Sequence, residues 1–160
     1  MITSETLVQT SADGACRMAR DLREGDFIYD GFAGRLRKIH EVLIRAVDVQ
    51  EVSLLQPVRL RWGVLGANCP AHDVLLSPQQ AVMVRVKSGD AEAPGAIRTL
   101  TARELCIHLP SAPDYAHREV TYVSIFFASP ANLICSGLVL PAYTSDMLIG
   151  RPASREAAYG

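Results

Sequence analysis

Pro57-Val58-Arg59-Leu60-Arg61-Trp62-Gly63-Val64-Leu65-Gly66, followed by Pro70 and then Asp73-Val74-Leu75-Leu76-Ser77-Pro78-Gln79-Gln80, is the stretch that decides the fold. Its first part alternates. Val58, Leu60 and Trp62 point to one side of an extended chain and Arg59 and Arg61 to the other, the period of a half-buried strand. A polar loop carrying Cys69 follows, and a second strand leads toward Gln80. Asp73 and Ser77 are expected to supply hydrogen bonds to a turn at Pro78, as short polar side chains do.

The same short, strand-like grain runs outward in both directions. Thr6–Thr10 precedes the turn signal Ser11-Ala12-Asp13-Gly14, and Asp26–Tyr29 is closed by Asp30-Gly31. Leu36–Val47 is a long run rich in Ile, Leu and Val; Gln80–Val86 and Val120–Phe127 are further strands. Leu133–Cys135 and Leu138–Leu140 flank Gly137 as a hairpin or bend. Only Ala19–Leu22 and Thr101–Leu105 suggest helix, about one turn each, the second with a capping box of Thr101 and Glu104. The expected class is all-β, with a domain over residues 1–149 and a loose tail over 150–160. Lys87–Gly95 is the expected mobile loop.

Gly14-Ala15-Cys16-Arg17 precedes Ala19-Arg20-Asp21-Leu22, and Gly95-Ala96-Ile97-Arg98 precedes Ala102-Arg103-Glu104-Leu105. Either common residues coincide by chance, or a unit of turn, strand, helical turn and strand is duplicated. A duplication predicts two halves about a pseudo-twofold axis, too few copies for a solenoid.

Composition narrows the function. The chain has 160 residues, enough for one domain that holds itself together without disulfides or metal. Its 16 basic residues are matched by 17 acidic ones and no basic run stands out, which argues against nucleic acid. No apolar run reaches the roughly 18 residues a membrane span needs, and no signal peptide opens the chain. The expectation is a cytoplasmic location, unless the domain belongs to a larger exported chain. Cys16, Cys69, Cys106 and Cys135 form no CxxC motif. They are expected to be reduced and mostly buried, with Cys69 the most exposed. No cofactor or metal is expected.

The opening stretch resembles the middle of bacterial Hint (hedgehog/intein) domains, which read like PVRIRAGALG…P…DLLVSPQH. Glu5-Thr6-Leu7-Val8-Gln9-Thr10, Asp13-Gly14 and Leu22-Arg23-Glu24-Gly25-Asp26 are similar to the family's GTLIxT…DG…LxxGD. Ala102–Leu105 matches a short A..L element, and Tyr122–Phe127 and Asn132–Gly137 stand where its last strands do. The resemblance runs from about Met1 to Tyr143. It implies a horseshoe-like fold of bent antiparallel strands from two pseudo-twofold related halves.

The resemblance also implies a chemistry. Such domains cleave their own upstream peptide bond: a first-position Cys or Ser attacks the preceding carbonyl, and a His helps the amide nitrogen leave. Here the nucleophile position falls on Met1, whose thioether forms no acyl intermediate. The His of the S-P-x-H element is Gln80, which can donate a hydrogen bond but delivers no proton near neutral pH. A late His position falls on Ala131, and Ser124 stands where relatives carry another. Asp73 and Ser77 are the possible remnants. The expected function is a non-catalytic Hint-like structural or protein-interaction module, with a protein partner or a homo-oligomer. The alternative is an autoproteolytic domain whose upstream segment lies outside this chain. A third option is a small-ligand pocket lined by Gln80, Ser77 and Asp73.

Other chemistry-bearing residues suggest less. His72 and Asp73 form the adjacent His/Asp pair, more simply a solvated loop than a base and its orienter. His40 is expected to be half-buried in its apolar strand, and His108 and His117 lack metal-binding companions. Trp62 and Tyr122 are expected as core or rim packing. Arg17, Arg20, Arg23, Arg59 and Arg61 are expected on solvated faces.

Overall fold

A computed structural model of the chain describes residues 1–50, 53–85, 95–109 and 117–149. The elements run β1 (Ile2–Thr3), β2 (Leu7–Gln9), β3 (Cys16–Met18), a 3-10 turn (Ala19–Asp21), β4 (Phe27–Asp30), β5 (Arg35–Lys38) and β6 (Glu41–Asp48). A 3-10 turn (Ser53–Leu55), β7 (Val58–Leu60), β8 (Val74–Leu76), β9 (Ala81–Arg85) and β10 (Ile97–Thr101) follow. The chain continues as α1 (Ala102–His108), β11 (Glu119–Phe127), β12 (Asn132–Cys135), β13 (Leu138–Pro141), β14 (Tyr143–Thr144) and α2 (Asp146–Ile149). The all-β expectation holds. The expected loop at Lys87–Gly95 lies mostly outside the described residues, and the expected tail at 150–160 wholly so.

One sheet has the order β14-β11-β1-β8-β7, with β6 paired along β11; a second has the order β10-β9-β13-β12. The hairpins β2–β3 and β4–β5 complete the strands. The main core gathers Ile2, Val8, Leu22, Ile28, Leu60, Leu76, Val82, Val123, Ile125 and Phe127 from every part of the chain. A smaller cluster packs Val47, Val49, Val120 and Tyr122 with Met1 and Leu55. Their side chains are removed from water, each worth roughly 1.5–3 kcal/mol for a large aliphatic or aromatic group.

The duplication appears in the backbone hydrogen bonds. In the first half Thr6 N–H donates to Thr3 O, Ala19 N–H to Thr6 O and Arg20 N–H to Ser4 O. In the second, Gln80 N–H donates to Ser77 O, Ala102 N–H to Gln80 O and Arg103 N–H to Pro78 O. Each acceptor and donor has its counterpart, and Ile2 pairs directly with Leu76, the residue that matches it. A residue paired antiparallel with its own equivalent marks the pseudo-twofold axis. Ala19 and Ala102 are both fully buried, as are Leu22 and, nearly, Leu105. Each small residue lets its helical turn sit down on the core, and each leucine fixes it there.

Local sequence explains several departures from expectation. Leu36–Val47 is not one strand; it breaks at Ile39-His40, where Ile39 turns into the core and His40 is exposed, not half-buried. β7 ends at Leu60, so Trp62 leaves the alternation and stands 62% exposed, while Tyr122 is core and donates its hydroxyl to Leu55 O at 2.6 Å. α1 runs on to His108, past the expected Leu105, because its capping box forms: Glu104 N–H donates to Thr101 Oγ1 and Thr101 N–H to the Glu104 carboxylate. β12 and β13 close on Ser136 and Gly137, both at positive φ, the conformation a two-residue hairpin turn requires. Among the cysteines Cys16 is the exposed one; Cys69 and Cys106 are half-buried and Cys135 is buried.

Candidate functional site

β1 is only two residues long yet the most consequential strand, because it lies between β11 and β8 at the centre of the large sheet. Ile2, fully buried, pins it there, and Met1 therefore emerges at the junction of the two halves. Met1 O accepts from Ser77 N–H at 3.1 Å. Met1 N donates to Gln80 Oε1 at 2.7 Å and to the Tyr143 hydroxyl at 2.7 Å. Burial pushes this amine down from 8.0 to about 5. At neutral pH it is therefore uncharged, and a neutral amine still has one N–H for each acceptor.

Gln80 is 3% exposed, and every part of its amide is used. Its Nε2 donates to Ala81 O at 2.9 Å and to Pro141 O at 3.2 Å while Oε1 accepts from Met1. The opposite amide orientation would turn an oxygen toward two carbonyls, so the chemistry fixes the orientation. Ala131 reaches the same corner through its backbone: its carbonyl accepts from Ala142 N–H, the residue between Pro141 and Tyr143. Its side chain is a buried methyl. Continuing the β1–β11 register beyond Ile2↔Val123 sets Met1 opposite Ser124, itself 6% exposed. The structure thus brings together Met1, Gln80, Ala131, Ser124 and Ser77.

Ser77 is fully buried, and its Oγ accepts from Gln79 N–H at 3.4 Å, holding the turn at Pro78. Asp73 lies at the other end of β8. Its carboxylate accepts from Trp62 N–H at 2.8 Å and faces Arg59 at 3.5 Å; the first contact, more than the second, holds its acid strength above the usual. There it ties the loop between β7 and β8, whose own backbone bonds run Gly63 N–H to Pro70 O and Leu65 N–H to Cys69 O. Asp73 therefore shares no pocket with Ser77 and Gln80, which are themselves closed to solvent. An open groove of about 390 Å³ lies elsewhere, lined by Leu22, Arg23, Glu24, Glu41, Val42 and Ile44.

Tyr143 was not legible as a site residue. It sits on a two-residue strand, paired parallel to β11 and packed on Phe126 with ring centroids 5.4 Å apart. No local pattern marks such a residue. Asp30 was equally hidden: it is 1% exposed, and its carboxylate accepts the N–H groups of Phe32, Ala33 and Asn132. The Asp30-Gly31 turn signal was visible, but not the bond across to β12. The arginines are held locally: Arg17 by Asp26 at 3.0 Å, and Arg20 near Glu5 at 3.7 Å. His72 and His108 are exposed, and no group of three metal-ligating side chains occurs among the described residues.

With this geometry in place, comparison with known proteins places the chain. A profile of the Hint domain family (Hint_2) matches residues 2–146, so this chain belongs to the Hint domain family. No curated protein matches the sequence. A solved structure, the bacterial intein-like domain from Clostridium thermocellum, is similar over 88% of this chain and 96% of its own, at 11% identity and a TM-score of 0.47.

Proposed function

We propose that this chain is a Hint-fold domain that does not cut itself and serves as a structural or protein-interaction module. One observation carries the proposal: at the start of β1 residue 1 offers a thioether, and where a proton-delivering side chain is needed its nitrogen meets the carboxamide oxygen of Gln80, beside the Tyr143 hydroxyl. Cleaving an upstream amide needs a nucleophile on residue 1 and a proton donor aimed at that nitrogen. Met1 offers a thioether. Gln80 has the opposite polarity, since its oxygen accepts a hydrogen and its NH2 is spent on Ala81 O and Pro141 O. Neither the methyl of Ala131 nor the hydroxyl of Ser124 titrates near neutral pH.

The remaining buried nucleophile does not compensate. Cys135 is fully buried and its thiol is pushed up by desolvation, so it presents no thiolate. The test is a fusion in which a folded reporter precedes Met1, incubated with and without dithiothreitol and with hydroxylamine. The intact fusion mass is expected throughout. Release of the reporter would overturn the proposal and establish the autoproteolytic alternative.

A further inference from the structure

We infer that the free edge of β6 pairs antiparallel with the same edge of a second copy of this chain, about a twofold axis through Leu43. This deepens the interaction-module reading by naming the partner. β6 is eight residues long and pairs with β11 along one side, Glu41↔Phe126 through Asp48↔Glu119. The Val49 N–H bond to Arg118 O sets the phase of that ladder. Antiparallel pairs alternate, so the odd-numbered residues of β6 turn their backbone groups to β11. Val42, Ile44 and Ala46 turn theirs outward, where none finds a partner among the described residues.

Edges of this length are usually blunted by Lys, Pro or a covering segment. β6 has neither residue between Glu41 and Asp48, and Ile44 on it is 51% exposed. Instead its sequence, Glu41-Val42-Leu43-Ile44-Arg45, is self-complementary. With the axis at Leu43, Val42 faces Ile44 of the second copy, and both belong to the set whose backbone groups are free to bond. Glu41 then faces Arg45 of the second copy, twice over, at non-hydrogen-bonded positions where side chains approach closest. Ile44 of the second copy comes over the groove lined by Leu22, Val42 and Ile44. An axis at Ile44 would set Glu41 against Val47 and Arg45 against Leu43, and an axis at Arg45 would oppose two guanidiniums. Registers between these would pair outward groups with inward ones. Charge and hydrogen-bond phase therefore select the same register.

Sedimentation equilibrium of the chain from micromolar to submillimolar concentration is expected to rise from 17.4 kDa to twice that mass. Glu41→Arg and Arg45→Glu are each expected to weaken association about tenfold or more, because two attractive pairs become repulsive. The double exchange, Glu41→Arg with Arg45→Glu, restores the facing pairs and is expected to recover the dimer. Circular dichroism checks that each variant is folded. In a Cys16→Ser background, Leu43→Cys is expected to cross-link to itself in air and Ala46→Cys not to. A monomer at every concentration, or a dimer unmoved by the single reversals, would overturn the inference. The fusion assay is independent of it: a dimer that cleaves would remove the non-catalytic reading and leave the interface standing.

Discussion

The two halves of the domain share a backbone and differ in what one side chain does with it. Thr6 and Gln80 occupy matching turns: each donates its N–H three residues back and accepts from the first residue of the following helical turn. Thr6 spends its hydroxyl locally, 3.0 Å from that of Thr3. Gln80 instead reaches across the axis to Met1 and holds β9 and β13 by their carbonyls. The difference teaches that the duplicated turn is a structural unit. What acts at the junction is whichever longer side chain projects from one copy of it. In this chain that side chain is a carboxamide, which bonds strongly and transfers no proton.

The largest break in the comparison should come from the two turn residues themselves. Gln80→Ala leaves the Met1 nitrogen one acceptor short and the part-buried carbonyls of Ala81 and Pro141 each one donor short. Urea unfolding is expected to show a loss of about 4 kcal/mol, at roughly 0.5–1.5 kcal/mol for each of the three hydrogen bonds together with the cavity the side chain leaves. Thr6→Val keeps the shape, removes only the hydroxyl pair, and should cost about 1 kcal/mol. Equal losses at the two positions would mean that Gln80 is no more than a copy of Thr6.

The junction also predicts a pH dependence. The Met1 amine falls from 8.0 unfolded to about 5 folded, so between these values the unfolded chain holds the extra proton. Stability from this group is complete above pH 8 and is lost as the pH falls through 5. The expected loss between pH 8 and 5 is about 3 kcal/mol. Placing Gly-Ser before Met1 converts the amine to an amide and should flatten that slope. A slope that persists would assign the effect to other groups.

Smaller effects sharpen the contrast between the helical turns that follow. α1 begins at Thr101 with a full capping box, whereas the matching 3-10 turn begins at Met18 with no side-chain cap. That difference accounts for a helix of seven residues in one half and a three-residue turn in the other. Thr101→Ala should cost about 1 kcal/mol, and Met18→Ala should show no cap-related loss. Smallest of all, thiol labelling under native conditions should reach Cys16 at once and Cys135 only on unfolding, since the first is exposed and the second buried.

Much of this is legible in the residues alone. The alternation of Val58, Arg59 and Leu60 marked β7, and Thr101 with Glu104 marked the start of α1, because both signals are local. The repeated Ala-Arg-acid-Leu spacing marked two turns that bury the same alanine and leucine. Trp62 was misplaced because alternation tells where a strand runs and not where it stops. His40 was misplaced for the same reason, inside an apolar run that turns a corner.

Residue type and short spacing were enough for the class of fold and for the non-titrating side chains at Met1, Gln80 and Ala131, and they raised the duplication as one of two readings. Only the tertiary structure decided that Tyr143 completes the junction, that Asp73 belongs to a loop at the far end of β8, and which edge of β6 is open. Those facts depend on strand pairing between residues far apart along the chain. Such pairing is set by the burial of Ile2, Leu76 and Val123 together, and no local stretch of residues encodes it.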